Sequence, residues 1–140
     1  MAGVPTDFNE KVIAEFRAND GEVGGMFEGM PVLLLHHRGA KTALERVNPL
    51  AYLKDGERYV VFASKAGAPT NPAWFHNLLA SPVTKIEVGA EELAVEASEA
   101  KGQERERLFA EQKRLRPQFA EYEQKTGGRV IPVVVLTPKA

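Results

Sequence analysis

The sequence contains no cysteine, which excludes thiolate catalysis, iron–sulfur clusters and disulfide bonds together. This absence fits a reducing compartment. Long apolar runs are missing too: none approaches the ~18 residues of a membrane-spanning helix. The first ten residues are polar and lack the apolar core of a secretory signal. We therefore expect a cytoplasmic protein that makes at most peripheral contact with a membrane.

An excess of charge of one sign is also missing. The chain has 18 basic and 19 acidic residues, a net charge of −1, whereas nucleic-acid binders usually carry a basic excess. The basic residues nevertheless outnumber the acidic ones between positions 38 and 65. They are Arg38, Lys41, Arg46, Lys54, Arg58 and Lys65, against Glu45, Asp55 and Glu57. One part of the surface is therefore suited to an anion, although no nucleic-acid partner is expected.

Histidines and nucleophiles give little support for catalysis by metals or by a covalent intermediate. His36 and His37 are neighbours on a predicted strand, so their side chains point to opposite faces and do not share one metal ion. His76 has no ligand partner one helical turn away. The pair Ser64-Lys65 lacks the Ser-x-x-Lys spacing, and no GxSxG motif occurs. The sequence predicts no metal site.

A length of 140 residues predicts one domain, 1–140, in which residues 1–25 form an N-terminal helix and loop. Thr6 or Asp7 is the expected cap of that helix, and Gly21 its stop. Its apolar side, formed by Phe8, Val12, Ile13 and Phe16, is expected to pack over a barrel end, with an amphipathic membrane contact as the alternative. The glycine-rich loop that follows carries Met26, Phe27 and Met30, which could cover a ligand.

Alternating apolar patterns and turn residues predict about six strands. They are Val32–His37, Leu44–Leu53, Arg58–Ser64, Val83–Val88, Leu93–Ala97 and Val130–Leu136. Pro49 implies an edge position or a bulge, because proline cannot donate to a strand ladder, and Asp55-Gly56 marks a hairpin turn. Because an antiparallel sheet with such short links tends to close and remove its edges, we expect an α+β fold built on a barrel.

Three further helices are predicted between and after these strands. Asn71 as cap and Pro72 at the first helical position begin one that ends at Ser81-Pro82. A charged amphipathic helix runs from Lys101 to Arg114. After Pro117, a shorter helix carries Phe119 and Tyr122 and ends at Gly127-Gly128.

Four of the basic residues lie at the ends of predicted strands. Arg38 and Lys41 occupy a turn, Arg46 lies on the next strand, and Lys65 follows a third one. If the strands pair as sequential hairpins, all four reach one rim, where they suit phosphate or carboxylate groups. The alternative is scattered solubilising charge.

Three segments carry a resemblance to a known family: RGAKTALERVNPLAYL, FASKAGAPTNPAWFHNL and RVIPVVVL. They resemble the deazaflavin (F420)-dependent nitroreductase and quinone reductase family, and the likeness runs from about Phe27 onward. The usual Gly-Arg-Lys turn of the family reads Arg38-Gly39-Ala40-Lys41 here, so one cation is absent or displaced. The resemblance implies an antiparallel split β-barrel, similar to flavin reductases and FMN-binding proteins, and reduced coenzyme F420.

The same resemblance assigns roles to residues. Lys41, Arg46 and Lys65 would hold the phosphate and the glutamate tail of the coenzyme. The deazaflavin ring would lie near the residues Pro49, Ser64, Trp74 and Asn77, and beside backbone groups of Phe62 and Ala63. Asn48 and Ala68 belong to the matched motifs and complete the implied coenzyme-binding set. Ser64 and Tyr122 are the candidate catalytic residues, as hydrogen-bond partners of the acceptor.

The expected activity is hydride transfer from reduced coenzyme F420 to a small quinone or nitroaromatic-type acceptor. One alternative is the same barrel using FMN, as in pyridoxamine-phosphate-oxidase-like proteins. Another is a non-catalytic carrier of the coenzyme. The oligomeric state stays open at this stage.

Overall fold

The structure is a computed structural model that describes residues 6–27 and 29–139, without the side chains of Thr6, Asp7 and Met26. The predicted roles of those three side chains lie outside the described part. The helices are α1 (Thr6–Ala18), α2 (Ala73–Ala80), α3 (Gly102–Leu115) and α4 (Gln118–Lys125). The strands are β1 (Val32–Arg38), β2 (Glu45–Ala51), β3 (Leu53–Asp55), β4 (Arg58–Phe62), β5 (Val83–Val88), β6 (Glu91–Glu99) and β7 (Val133–Pro138). The predicted α+β class is confirmed, with seven described strands in place of about six.

The seven described strands form one antiparallel sheet in the order β2-β1-β5-β6-β7-β4-β3. The two edge strands are consecutive in the chain and are joined at Tyr52. The segment from Glu45 to Asp55 therefore changes partner from β1 to β4 as it passes Tyr52. Because one bent segment supplies both edges, the sheet curls into a split barrel, and the predicted single run becomes two strands. Pro49 lies on edge strand β2, as its missing N–H predicts.

Side chains of β4 alternate between two apolar clusters, as the sequence pattern predicts. Val61, and Ala63 directly after the strand, belong to the inner cluster with Trp74. Val60 and Phe62 pack with Phe109 and Phe119 of α3 and α4. The barrel is therefore filled on one side of β4 and covered by helices on the other.

Helix α1 packs on the outer face of the sheet. Phe16 is 1% exposed and contacts Val32 and Leu34 of β1. Phe8 was expected on the same packed side but is 43% exposed, because it lies two helical turns before Phe16, beyond the covered sheet. Among the described residues, no helix is long and apolar enough to cross a membrane.

Several predicted boundaries were wrong. Strand β6 begins at Glu91, because Gly89 (φ 59°) and Ala90 form a two-residue turn between Val88 and its partner. Strand β4 ends at Phe62, and β7 begins only at Val133. Residues 63–64 and 130–132, which were predicted to extend these two strands, lie outside them, in the loop after β4 and in the connection before β7.

Candidate anion-binding site at one end of the barrel

Strand directions place the candidate cations at one end of the barrel. Four successive antiparallel pairings lead from β1 through β5, β6 and β7 to β4, so β1 and β4 run in the same direction. Their last residues, Arg38 and Phe62, therefore end at the same side, and β2 begins there opposite Arg38. Lys41 follows β1, Lys65 follows β4, and Arg46 is the second residue of β2. All three side chains are exposed.

The loop after β4 has an unusual backbone. Ser64 is in the right-handed helical region, whereas Lys65 (φ 49°), Ala66 (φ 53°) and Gly67 (φ 86°) are left-handed. A left-handed non-glycine residue costs roughly 1–2 kcal/mol, so such a loop persists only where its surroundings hold it. Among the described residues, the N–H groups of Ser64, Lys65 and Ala66 have no hydrogen-bond acceptor. A right-handed residue followed by a left-handed one turns successive N–H groups into a concavity that binds anions.

Arg129 holds this loop from the other side. Its guanidinium donates to the carbonyl oxygens of Ala63 (2.9 Å), Ser64 (2.8 Å) and Ala68 (2.7 Å), and to Oδ1 of Asn71. Burial lowers the pKa of Arg129 from its usual value. Asn71 was expected to cap α2, but its side chain accepts from Arg129 instead. The helix accordingly begins at Ala73, with Pro72 as its cap residue.

A buried polar relay joins the lysine turn to α2. Asn77 accepts from the N–H of Ala40 (3.0 Å) and pairs through Nδ2 with Nδ1 of His37 (2.9 Å). Nε2 of His37 then reaches Oδ1 of Asn48 (2.6 Å). Burial is the main cause that lowers the pKa of His37, which fits a neutral ring that accepts at Nδ1 and donates at Nε2. Asn48 and Asn77, both assigned to the coenzyme, therefore also position the turn that carries Lys41.

The residues assigned to the deazaflavin ring lie on different faces of the sheet. Pro49 is opposite Leu34 on the face covered by α1. Trp74 and Ala63 lie in the inner cluster, and Phe62 lies in the cluster under α3 and α4. The backbone groups of Ala63 are also engaged, since its N–H donates to Pro132 and its carbonyl accepts from Arg129. The N–H groups of the next three residues, in contrast, have no acceptor within the described part of the chain.

The two candidate catalytic residues flank the loop. Ser64 is 8% exposed at the start of the loop. Tyr122 is half-buried on α4, edge-on to Phe119 with ring centroids 5.1 Å apart. The backbone of Tyr122 lies against Gly67 so closely that a Cβ there would be 3.1 Å from the Tyr122 carbonyl oxygen. Ala68 continues the loop and accepts from Arg129.

Two adjoining cavities lie beside this end of the barrel. The larger, about 580 Å³, is bounded by α2, the start of α3 and residues 130–132, and the smaller is about 190 Å³. They share Phe75, Leu79 and Glu99 as lining residues. Neither cavity is lined by Lys41, Arg46 or Lys65. The cations therefore border the exposed rim of the barrel and not these cavities.

The two neighbouring histidines point to opposite faces, as predicted. His36 lies on the face covered by α1, where Nε2 is 2.7 Å from Oε2 of Glu87. His36, Glu87 and Glu92 bring donor atoms within 4.8 Å of one another, a grouping that the sequence did not predict. Arg17 already binds Glu87 through two hydrogen bonds and, as the main cause, lowers the pKa of that carboxyl to about 2. The guanidinium thus supplies the positive charge at this group.

Arg129 and His37 are the site residues that sequence reasoning missed. Arg129 stands at the head of the matched segment RVIPVVVL, but its partners are 58 to 66 positions away. For His37, the sequence argues against a metal site and favours a packed or surface histidine, without indicating its hydrogen-bond partners. A signal was available for His37, because a strand residue that points inward and is polar needs partners inside the barrel.

Comparisons with known proteins agree with this fold. The family model described as F420H(2)-dependent quinone reductase matches residues 9–138. An F420H(2)-dependent quinone reductase of Mycobacterium tuberculosis is 38% identical over 130 residues, covering 89% of this chain and 85% of the relative. The solved structure of an F420-H2 dependent reductase (FDR-A) is 34% identical with a TM-score of 0.69, covering 76% of this chain and 93% of that one.

A more distant structure shows the fold alone. The crystal structure of a putative pyridoxamine 5'-phosphate oxidase from Listeria innocua is 12% identical, with a TM-score of 0.55, and covers 94% of this chain and 93% of that one. This likeness supports the split barrel without indicating a cofactor. The family match and the identity to the curated relatives go further, and on them the chain belongs to the F420H(2)-dependent quinone reductase family, whose members are oxidoreductases that use coenzyme F420.

Proposed function

We propose that the chain transfers a hydride from reduced coenzyme F420 to a quinone or nitroaromatic-type acceptor. The observation that carries this proposal is the rim of the barrel. There, three consecutive N–H groups, at Ser64, Lys65 and Ala66, have no acceptor among the described residues and occupy the same end as the exposed side chains of Lys41 and Arg46. Such an end has donors and positive charge for a long anion.

The residues present fit the anionic part of the coenzyme. The N–H groups of residues 64–66 suit a phosphate, because successive N–H groups in a right-handed to left-handed turn converge on one anion. The ammonium of Lys65 belongs to the same loop and lies 3.4 Å from Oγ1 of Thr70. Lys41 and Arg46, from the β1–β2 hairpin, add charge-assisted contacts for the acidic tail.

The main contribution of the protein is to position the reactants. When bound, the reduced deazaflavin supplies the hydride, which is the chemistry of the cofactor. The loop and the relay through Asn77 fix the donors and the lysine turn. Ser64 and Tyr122 are the proposed hydrogen-bond partners of the acceptor, which must approach the ring to ~3–3.5 Å. A quinone or nitro group can take its proton from water, so no buried acid is required.

Two other functions make different predictions. FMN ends at one phosphate, whereas the cations come from the β1–β2 hairpin and from the separate loop after β4, and suit a longer anion. A non-catalytic carrier would bind the reduced coenzyme without speeding its oxidation. One assay that varies the cofactor and the acceptor and measures turnover therefore separates the three functions.

The test is a turnover assay of the full chain with reduced coenzyme F420, using menadione and a nitroaromatic as acceptors. Oxidation of the deazaflavin is followed by absorbance, with FMN supplied in a parallel series. Acceptor-dependent oxidation above the uncatalysed rate is expected with F420. Tight F420 binding without turnover would refute the enzymatic proposal in favour of a carrier. Turnover with FMN alone would refute the proposal that coenzyme F420 is the hydride donor.

A further inference from the structure

Arg129 is a partly buried cation without a carboxylate partner among the described side chains. All of its hydrogen bonds go to neutral oxygens, those of Ala63, Ser64, Ala68 and Asn71. Within residues 6–27 and 29–139, it forms no salt bridge, and burial alone lowers its pKa. A partly desolvated charge that lacks a counter-ion is unfavourable unless an anion balances it. The loop in front of Arg129 is where such an anion would bind.

The geometry of the peptide bond links Arg129 to the front of the loop. The carbonyl of Ala63 and the N–H of Ser64 belong to one planar peptide unit, and the carbonyl of Ser64 and the N–H of Lys65 belong to the next. The described chain has no cis peptide bond, so in each unit the C=O and N–H point in opposite directions. Because Arg129 binds both carbonyls, it directs both N–H groups away from itself, toward the open side of the loop.

We propose that Arg129 is a positioning residue for the phosphate of the coenzyme, acting through these two peptide units without touching the ligand. This inference rests on the proposed function. The guanidinium sets the direction of the N–H groups of Ser64 and Lys65, and its uncompensated charge lies behind them. Cation, peptide dipole and anion are then aligned, an arrangement in which each element stabilises the next.

A purely structural role for Arg129 would have a different signature. If Arg129 only held the loop in place, its loss would weaken binding of the whole ligand, ring and phosphate alike. If it acts on the phosphate, the loss is confined to ligands that carry the phosphate. The two cases are separated by comparing coenzyme F420 with its phosphate-free fragment, the deazaflavin ring with its ribityl chain.

The experiment measures dissociation constants of both ligands by deazaflavin fluorescence at low salt. It uses the wild-type chain, Arg129→Gln, Arg129→Lys and the control Arg58→Gln. Arg58 is a suitable control because it is also partly buried and bonded, to Asp55 and Glu104, but lies at the opposite end of β4. Melting temperatures are recorded for all four proteins.

We expect Arg129→Gln to raise the dissociation constant of coenzyme F420 at least tenfold. The dissociation constant of the phosphate-free fragment should rise less than threefold. Arg129→Lys keeps the charge but loses the planar fork, so an intermediate loss restricted to the coenzyme is expected. Arg58→Gln should lower the melting temperature and change neither dissociation constant. Should Arg129→Gln not fold, the same comparison is made with Arg129→Lys.

An equal loss for both ligands, or no loss for either, would overturn the role of Arg129 while leaving the proposed function intact. Failure of the wild-type chain to bind coenzyme F420 would instead overturn the proposed function. The two failures are therefore distinguishable in one data set.

Discussion

Replacing Gly67 by alanine tests the contact between the left-handed loop and α4. Gly67 has φ 86°, and an added Cβ would lie 2.7 Å from Cβ of Lys125 and 3.1 Å from the carbonyl oxygen of Tyr122. These atoms belong to the body of α4, so the helix must move. The matched control is Gly56→Ala, because Gly56 is also left-handed (φ 61°) but has nothing within 4 Å of its added Cβ.

The magnitudes follow from those contacts. A left-handed alanine costs roughly 1–2 kcal/mol, which is the whole expected effect of Gly56→Ala. Gly67→Ala adds overpacking, typically about 1–3 kcal/mol, for a total of roughly 2–5 kcal/mol. At about 4 °C per kcal/mol for a domain of this size, the melting temperature should fall by roughly 4–8 °C for Gly56→Ala and roughly 8–20 °C for Gly67→Ala.

Coenzyme affinity gives the second readout for this pair. Gly67→Ala shifts the loop whose N–H groups are proposed to bind the phosphate, so at least a tenfold loss is expected, whereas Gly56→Ala should bind normally. Thermal denaturation and fluorescence titration measure both effects. Equal melting temperatures for the two variants would refute the described contact between loop and helix.

Three further predictions concern charge. The double variant Lys41→Ala with Lys65→Ala should weaken the binding of coenzyme F420 at least tenfold, as measured by titration. Adding salt should cause a similar loss of affinity in the wild-type chain. The pKa of His37 is lowered from 6.5, so its contribution to the free energy of unfolding should be full above about pH 6.5 and fall as the pH drops from there toward the lowered pKa. His37→Gln should reduce this pH dependence, as measured by urea unfolding. Arg17→Met should raise the pKa of Glu87 from about 2 toward 4.5 and move acid unfolding to higher pH, since stability from that carboxylate is lost as the pH falls through this range.

Each of these predictions has a control or a contradicting result. Lys54 is an exposed lysine of β3 at the opposite end of the barrel, so Lys54→Ala should bind the coenzyme normally. An equal loss in that variant would mean nonspecific charge attraction. For the histidine, His76→Gln, at an exposed position on α2, should retain the pH dependence of stability. An unchanged acid transition in Arg17→Met would contradict the role of that arginine.

Local patterns were enough to predict most of the fold. The alternation of Val60, Val61 and Phe62 identified the two faces of β4, and Asp55-Gly56 identified its hairpin. These features depend on neighbours in the sequence, so the sequence contains the information directly. Pro49 likewise indicated the edge, because its missing donor restricts the positions open to it.

The features that could not be predicted depend on distant partners. Asn71 looked like a helix cap because its neighbours favour one, but Arg129 competes for its side chain from 58 positions away. The left-handed Lys65 and Ala66 have no local signal, since neither residue type favours that backbone region. Their conformation is explained by the carbonyl contacts of Arg129 and the packing of Gly67 on α4, which only the three-dimensional structure shows.

The rim of the barrel as an anion site is tested most directly by the backbone amides themselves. A ¹⁵N NMR titration of the full chain with coenzyme F420 reports each N–H group separately. We predict that the amide signals of Ser64, Lys65 and Ala66 move downfield together and become protected from hydrogen exchange, as expected for donors that acquire an anionic acceptor. Saturable binding that leaves these three amides unchanged would contradict the assignment.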